Sequence, residues 1–272
     1  MLWVKATCIN HQDLKEKSAQ VTLMPDVISQ ASRVVVCLDP GNDANTKLVK
    51  NATQKIYAAC ATYAKSTGED LIEMSRDTFS LPYADFRATD LPDATWEAVE
   101  KFFALPWFSR IWSVLEVIKA KDSAVLYGTM EFLWLEIAIT AEWNHTEQVD
   151  HQLELPEAME NVLAFNAQRI FEADEYAATG LLRILTRFRD FHAIDKRDKV
   201  YALMGLLQWP GGECPMKFDY EQSAEKLYIE TARLIIQELG DPALLSYVQH
   251  SEDFDGNPDL PRGCQIGRQT MT

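Results

Sequence analysis

The run Arg33-Val-Val-Val-Cys-Leu38 limits what this chain can fold into more than any other stretch. Its unbroken apolar, β-branched residues suit a short buried strand. Pro40-Gly41-Asn42-Asp43 closes the run with turn formers. Upstream, Leu14, Val21, Met24 and Ile28 recur at helical spacing within residues 11–31, Lys15, Glu16 and Lys17 face water, and Asn10 is placed to cap that helix. Pro25 is expected to kink or interrupt it. Residues 2–9 mix β-branched, aromatic and small side chains and read as another strand. Strand, helix, strand in that order predicts two parallel strands joined by a right-handed crossover.

Further along, a helix is expected over 46–65, a loop rich in Gly, Pro, Asp and Ser over 67–94, and a helix opening near Asp93 or Thr95. Ser123-Ala-Val-Leu-Tyr127 reads as the next strand, closed by Gly128. Helical periodicity then dominates over 132–148, 156–173, 178–190, 197–207 and 222–239. With 272 residues, 47% of them hydrophobic, the chain can bury the core of one large or two modest domains. The expected class is α/β: a mainly parallel sheet formed by 2–9, 33–38 and 123–127, flanked by helices and followed by a helical extension. The expected division is an α/β part over 1–150, the helical extension over 151–250 and an irregular tail over 251–272.

A formal charge of −15 and the absence of any Lys/Arg run exclude a dominant nucleic-acid surface, since phosphate binding needs clustered cations. No apolar stretch reaches the about 20 residues of a membrane span. The amino end also lacks a signal-peptide layout, so the expected location is cytoplasmic. Cys8, Cys37, Cys60, Cys214 and Cys264 are odd in number and stand in no metal-like spacing with histidine. Reduced thiols and no metal site are expected, with Cys8 and Cys37 buried in strands.

The segment from Leu105 to Glu116 (LPWFSRIWSVLE) carries the candidate chemistry. Trp112 and Glu116 stand four residues apart, on one helical face, among Val114, Leu115, Val117 and Ile118. A carboxylate in such company is either neutralised by a partner or held for chemistry. Trp112 equally suits a core position, and Glu116 equally suits pairing with Lys119. In Asp195-Lys-Arg-Asp-Lys199, ahead of Val200-Tyr-Ala-Leu-Met-Gly205, a structural role is expected: Asp195 or Asp198 satisfies the helix start, Arg197 pins the helix, and Tyr201 packs.

Three segments in order resemble the fungal heterokaryon incompatibility (HET) domain. The Leu105–Glu116 block resembles its PWFxRxWVxQE text. Leu2-Trp-Val-Lys-Ala-Thr-Cys-Ile-Asn10 with Glu16–Val21 and Ala31–Val36 resembles its LWIDAxCINQ…EKxxQV block. Ala193 to Leu206 resembles DPRDKVYALLGL. The resemblance implies a fold similar to the TIR domain, some members of which cleave NAD with a glutamate in a Trp-x-x-x-Glu pattern. On that implication Glu116 is the catalytic carboxylate, Trp112 its aromatic platform, Arg110 a phosphate holder, and Lys5 and Asn10 stand at cofactor-facing positions. No cofactor is required, and NAD is the implied substrate. A carboxylate there would stabilise an oxocarbenium-like ribose as nicotinamide leaves.

The chain also departs from the family's pattern. Lys5 replaces the strand-end aspartate of LWIDA, His11 the glutamine after Cys-Ile-Asn, and Leu115 the glutamine beside the key glutamate. The family's opening strand, with its YxALSYxWG text, is expected to be missing. Its LPSWVPDW text, read one base out of frame from Ser-Trp onward, gives Arg-Gly-Cys-Gln-Ile-Gly, the sequence at 262–267, so an out-of-frame tail is expected. The implied role is non-self recognition after cell fusion, an allorecognition response ending in programmed cell death, through self-association or other HET-pathway proteins. Three molecular readings stand side by side: a degenerate or truncated copy with little activity, an NAD-hydrolysing enzyme using Glu116, and a non-catalytic self-associating module.

Overall fold

A computed structural model of the chain describes residues 2–41, 43–71, 91–151, 157–171, 177–209 and 214–239. The expected tail over 251–272 lies outside them, as does most of the loop expected over 67–94. The chain forms two compact units that interleave along the sequence: residues 30–173 make one, and residues 1–29 with 174–272 make the other.

In the 30–173 unit, the strands β1 (Val34–Cys37), β2 (Ser123–Tyr127) and β3 (Met130–Leu133) form a sheet in that order. β1 and β2 are parallel, with Val34 opposite Ser123 and Cys37 opposite Leu126. β2 and β3 are antiparallel, so the sheet is mixed and not mainly parallel. The cause is local: Gly128 takes φ +58, a conformation only glycine adopts without strain, and the chain reverses at once into β3. Val36, Val125 and Phe132 point inward from the three strands and are buried.

The helices of this unit are α3 (Asp43–Thr67), α4 (Asp93–Phe103), α5 (Ile111–Ile118), α6 (Trp134–His151) and α7 (Glu157–Phe171). α3 buries Thr46, Val49, Ala52, Thr53, Ile56, Cys60 and Ala64, a stripe at three- and four-residue spacing, and packs on α4 and α6. Phe102 of α4 lies between Phe132, stacked at 5.3 Å, and Tyr127 at 5.4 Å, joining the helical layer to the sheet. α6 begins where the Glu136 carboxylate accepts the Leu133 N–H at 3.2 Å and pairs with Lys50 at 2.6 Å.

The other unit contains α1 (Lys5–Cys8), α2 (Leu14–Gln30), α8 (Ala177–Arg187), α9 (Asp198–Met204) and α10 (Ala224–Leu239). Residues 2–9 are therefore not a strand. Lys5–Cys8 form one helical turn in which the Val4 carbonyl accepts from the Thr7 and Cys8 amides at 3.0 and 2.8 Å, and from the Thr7 hydroxyl at 3.1 Å. These local bonds satisfy backbone groups that a strand would have had to pair with a neighbour. Asp13, not Asn10, caps α2: its Oδ1 accepts the Lys15 and Glu16 amides at 3.0 and 3.1 Å. α2 runs unbroken through Pro25, because burial of Val21, Met24 and Ile28 on one face outweighs the single ladder bond proline removes.

Cys8 and Cys37 are exposed, against expectation, the first on a helical turn and the second on the open face of β1. Among the described cysteines, Cys60 is the buried one, and burial pushes its pKa up to about 12. Among the described residues, no helix is long and apolar enough to cross a membrane.

Candidate functional site

The segment 105–118 folds as a tight 3-10 turn, Pro106–Ser109, running into α5. Pro106 opens the turn, where its missing N–H costs nothing. Arg110 is the extended residue between the two, and its carbonyl accepts the Ser113 hydroxyl at 2.5 Å and the Ser113 amide at 3.1 Å. α5 is mostly apolar, and every residue of it is buried except Glu116, which is half-buried.

Glu116 is anchored from outside its own helix. The Trp107 indole Nε1 donates to Glu116 Oε2 at 2.9 Å. The Trp107 ring, itself only 8% exposed, meets Phe108 edge-on at 5.2 Å and lies 6.3 Å from both Trp134 and Phe165. Trp134 and Phe165 meet edge-on at 5.8 Å, so the 3-10 turn, α6 and α7 share one aromatic nest. The Trp134 Nε1 in that nest is buried and has no hydrogen-bond partner. A carboxylate with one oxygen tied to an indole, at the rim of an apolar nest, is fixed in place yet still reaches water.

Trp112, which spacing paired with Glu116, is buried, at 7% exposure. The aromatic that holds the carboxylate is Trp107, nine positions earlier. Helical spacing could not reveal it, because the two residues belong to different elements. The signal available was the tryptophan directly after Pro106, which the proline turns back over the helix it precedes. The Arg110 side chain is exposed.

Lys5 and Asn10 belong to the other compact unit. Lys5 sits half-buried on the α1 turn, not at a strand end. Asn10 is exposed, accepts the Gln12 amide on its side chain at 3.1 Å and gives its own amide to Glu16 at 3.3 Å. With Gln12, Asp13, Lys15 and Glu221 it lines an open depression of about 540 Å³.

That unit also holds a polar network the sequence indicated only in part. Arg197 grips both oxygens of Asp195, at 2.8 and 2.9 Å, and donates to the carbonyls of Tyr220 and Gln222. Lys17 of α2 reaches Asp195 at 3.0 Å and stands 3.6 Å from the centre of the Tyr220 ring. Tyr220 gives its hydroxyl to the buried Asp198 at 2.5 Å. Burial pushes the Asp195 carboxyl up, but hydrogen bonds from Arg197 and Lys17 outweigh it and hold the pKa at about 2. Burial first, and then the Asp198 charge, raise the Tyr220 phenol far above its ordinary value. Lys17, Asp195, Arg197, Asp198 and Tyr220 are each hydrogen-bonded within this network, which marks a structural clamp joining α2, α9 and the 219–222 segment.

Residues 1–116 match the family described as heterokaryon incompatibility protein (HET), a match that takes in the α1 turn, the amino-terminal portion of the 30–173 unit and the Trp107–Glu116 block. A relative named heterokaryon incompatibility protein 6, OR allele, of Neurospora crassa is 23% identical over an alignment of 272 positions. That alignment covers 87% of this chain and 39% of the relative's length. No solved structure matches the chain. Residues 1–116, which include the turn, the buried helix and the anchored glutamate, are thus similar to the heterokaryon incompatibility family.

Proposed function

We propose that the chain acts in heterokaryon incompatibility: a cytoplasmic module of non-self recognition whose engagement, by self-association or with other proteins of that pathway, signals cell death. The match over residues 1–116 carries this reading, and the similarity to heterokaryon incompatibility protein 6 supports it. The test is expression in a filamentous fungus, alone and after fusion with strains of different incompatibility genotype, scored by vital-dye uptake and growth at the fusion zone. Dye uptake in selected pairings supports the reading; uniform survival in every pairing rejects it.

A second reading makes Glu116 the catalytic carboxylate of an NAD-cleaving, TIR-like site, with NAD as substrate and Trp112 and Arg110 beside it. Two observations favour it: the parallel β1–β2 pair, and the half-exposed Glu116 held on an indole. Lys5, standing where the family has aspartate, sets the expectation of little or no turnover in this chain. Nicotinamide release by the purified protein, by Lys5→Asp and by Lys5→Asp/Glu116→Ala decides it. Release by Lys5→Asp that Glu116→Ala abolishes supports the catalytic role, and release that survives Glu116→Ala ends it.

A further inference from the structure

Among the described residues, the outer edge of β1 pairs with no strand. In the sheet order β1-β2-β3, no described strand lies on the far side of β1. The Val34 amide donates to the Asp122 carbonyl and the Leu38 amide to the Leu126 carbonyl, both at 2.9 Å, so the even-numbered residues bond to β2. By the alternation of a strand, the amides and carbonyls of Val35 and Cys37 face outward. Their side chains lie on the face away from the helices, where Val35 is 51% exposed and Cys37 is exposed. The opposite edge of the sheet is protected. β3 carries Glu131, and its last amide, that of Leu133, is taken by Glu136. Sheet proteins blunt an edge in just this way, with charges and side-chain caps, and β1 has neither within Val34–Cys37.

We propose that β1 is a docking edge for a second copy of this chain, through antiparallel β1–β1 pairing about a two-fold axis at Val36. Only an axis at Val36 sets Val35 against Cys37 of the partner in a hydrogen-bonded pair and also brings Arg33 opposite Asp39 of the partner. Moving the axis to Val34, Val35 or Cys37 keeps the backbone parity, since odd-numbered residues still face one another, but sets Arg33 against Val35, Cys37 or Gly41 of the partner and not against Asp39. Arg33 and Asp39 are both exposed. Arg33 already touches Asp122 at 2.9 Å and Glu131 at 2.7 Å, surface pairs weak enough to be shared with a third carboxylate. The pairing is isologous, so it closes as a dimer and does not propagate. The joined edges bury less than the about 1,200 Å² of a standard interface, which makes the dimer transient.

The inference rests on the self-association part of the proposed function and names its surface. The test uses the full chain in a Cys8→Ser background, by sedimentation equilibrium and by mild oxidation of Val35→Cys. A mass that rises with concentration is expected, and the thiol introduced by Val35→Cys should cross-link to native Cys37 of the second copy, since Cα atoms in such a pair lie about 5.5 Å apart, within disulfide reach. Val35→Cys/Cys37→Ser should lose that cross-link. Arg33→Asp or Asp39→Arg alone should cut its yield about tenfold, and the two together should restore it. A dimer indifferent to the charge reversals, in which the introduced thiol never cross-links to Cys37, overturns the β1 edge while leaving self-association intact. A chain that stays monomeric at every concentration and never cross-links overturns both.

Discussion

Trp107 donates its indole N–H to Glu116 at 2.9 Å, which ties the 3-10 turn to the last turn of α5 across a sequence that helical periodicity alone would treat as two separate faces. The carboxylate thereby has a structural duty whether or not it also has a chemical one. Any test of Glu116 in function must therefore separate loss of chemistry from loss of the anchor.

Trp107→Phe keeps the ring in its aromatic nest and removes the donor. It should destabilise the protein by about 1–2 kcal/mol, the cost of a hydrogen bond to a charged acceptor. Glu116→Ala should cost a similar amount, and the double variant should fall short of the sum by roughly 1 kcal/mol. Urea denaturation of the four proteins measures the coupling, and strict additivity would show that the two residues do not cooperate.

Arg197→Lys should destabilise by about 2–3 kcal/mol, because an ammonium cannot grip both Asp195 oxygens and reach the Tyr220 and Gln222 carbonyls at once. Thermal unfolding of the purified variant reads this directly. A change within about 0.5 kcal/mol, the range of an ordinary surface substitution, would mean the clamp is decorative.

Asp195 supplies an acid limb to the pH–stability curve. Its folded-state pKa, about 2, lies below the ordinary value of 3.8. The stabilisation is therefore present above about pH 4 and is lost as the pH falls toward 2. Asp195→Asn should flatten that limb while lowering stability at pH 7. A wild-type acid limb that persists unchanged in Asp195→Asn would assign it to other carboxylates.

Glu142 acts in the opposite sense. It is buried in α6, and burial lifts its carboxyl from 4.5 to about 7 despite a 3.5 Å hydrogen bond from Asn166. The folded state then holds a proton that the unfolded chain has released, so stability declines as pH rises from about 4.5 to 7 and is level above that. Glu142→Gln should abolish the decline and raise the melting temperature at pH 8. Equal melting temperatures for the two proteins at pH 8, with the slope retained, would count against this assignment.

Gly128 joins β2 to β3 at φ +58, and a Cβ there would stand 3.0 Å from both the Pro40 carbonyl oxygen and the Thr46 hydroxyl. Gly128→Ala should cost more than about 1 kcal/mol through backbone strain, with crowding added. Circular dichroism with chemical denaturation checks it. An alanine variant as stable as the parent would show that the turn relaxes freely.

Most helices could be read from the chain because each carries its own evidence. The α3 stripe from Thr46 to Ala64 repeats at helical spacing, and the apolar runs of β1 and β2 are bounded by Pro40-Gly41 and Gly128, so periodicity and turn formers were enough to locate them. The sequence also marked the Leu105–Glu116 block and the Arg197 clamp, since charged residues set against apolar runs need partners wherever they fold. The choice of partner was not written locally. Lys5–Cys8 became a helical turn because local bonds sufficed, and Met130–Leu133 became a strand because the Gly128 reversal laid it against β2. Tertiary structure alone put Trp107 on Glu116, set the Tyr220 hydroxyl on Asp198 and, among the described residues, left the outer edge of β1 without a partner strand. Local propensity is a matter of tenths of a kcal/mol per residue, whereas pairing a strand or satisfying a buried charge is worth whole kcal/mol and depends on residues far away in the chain.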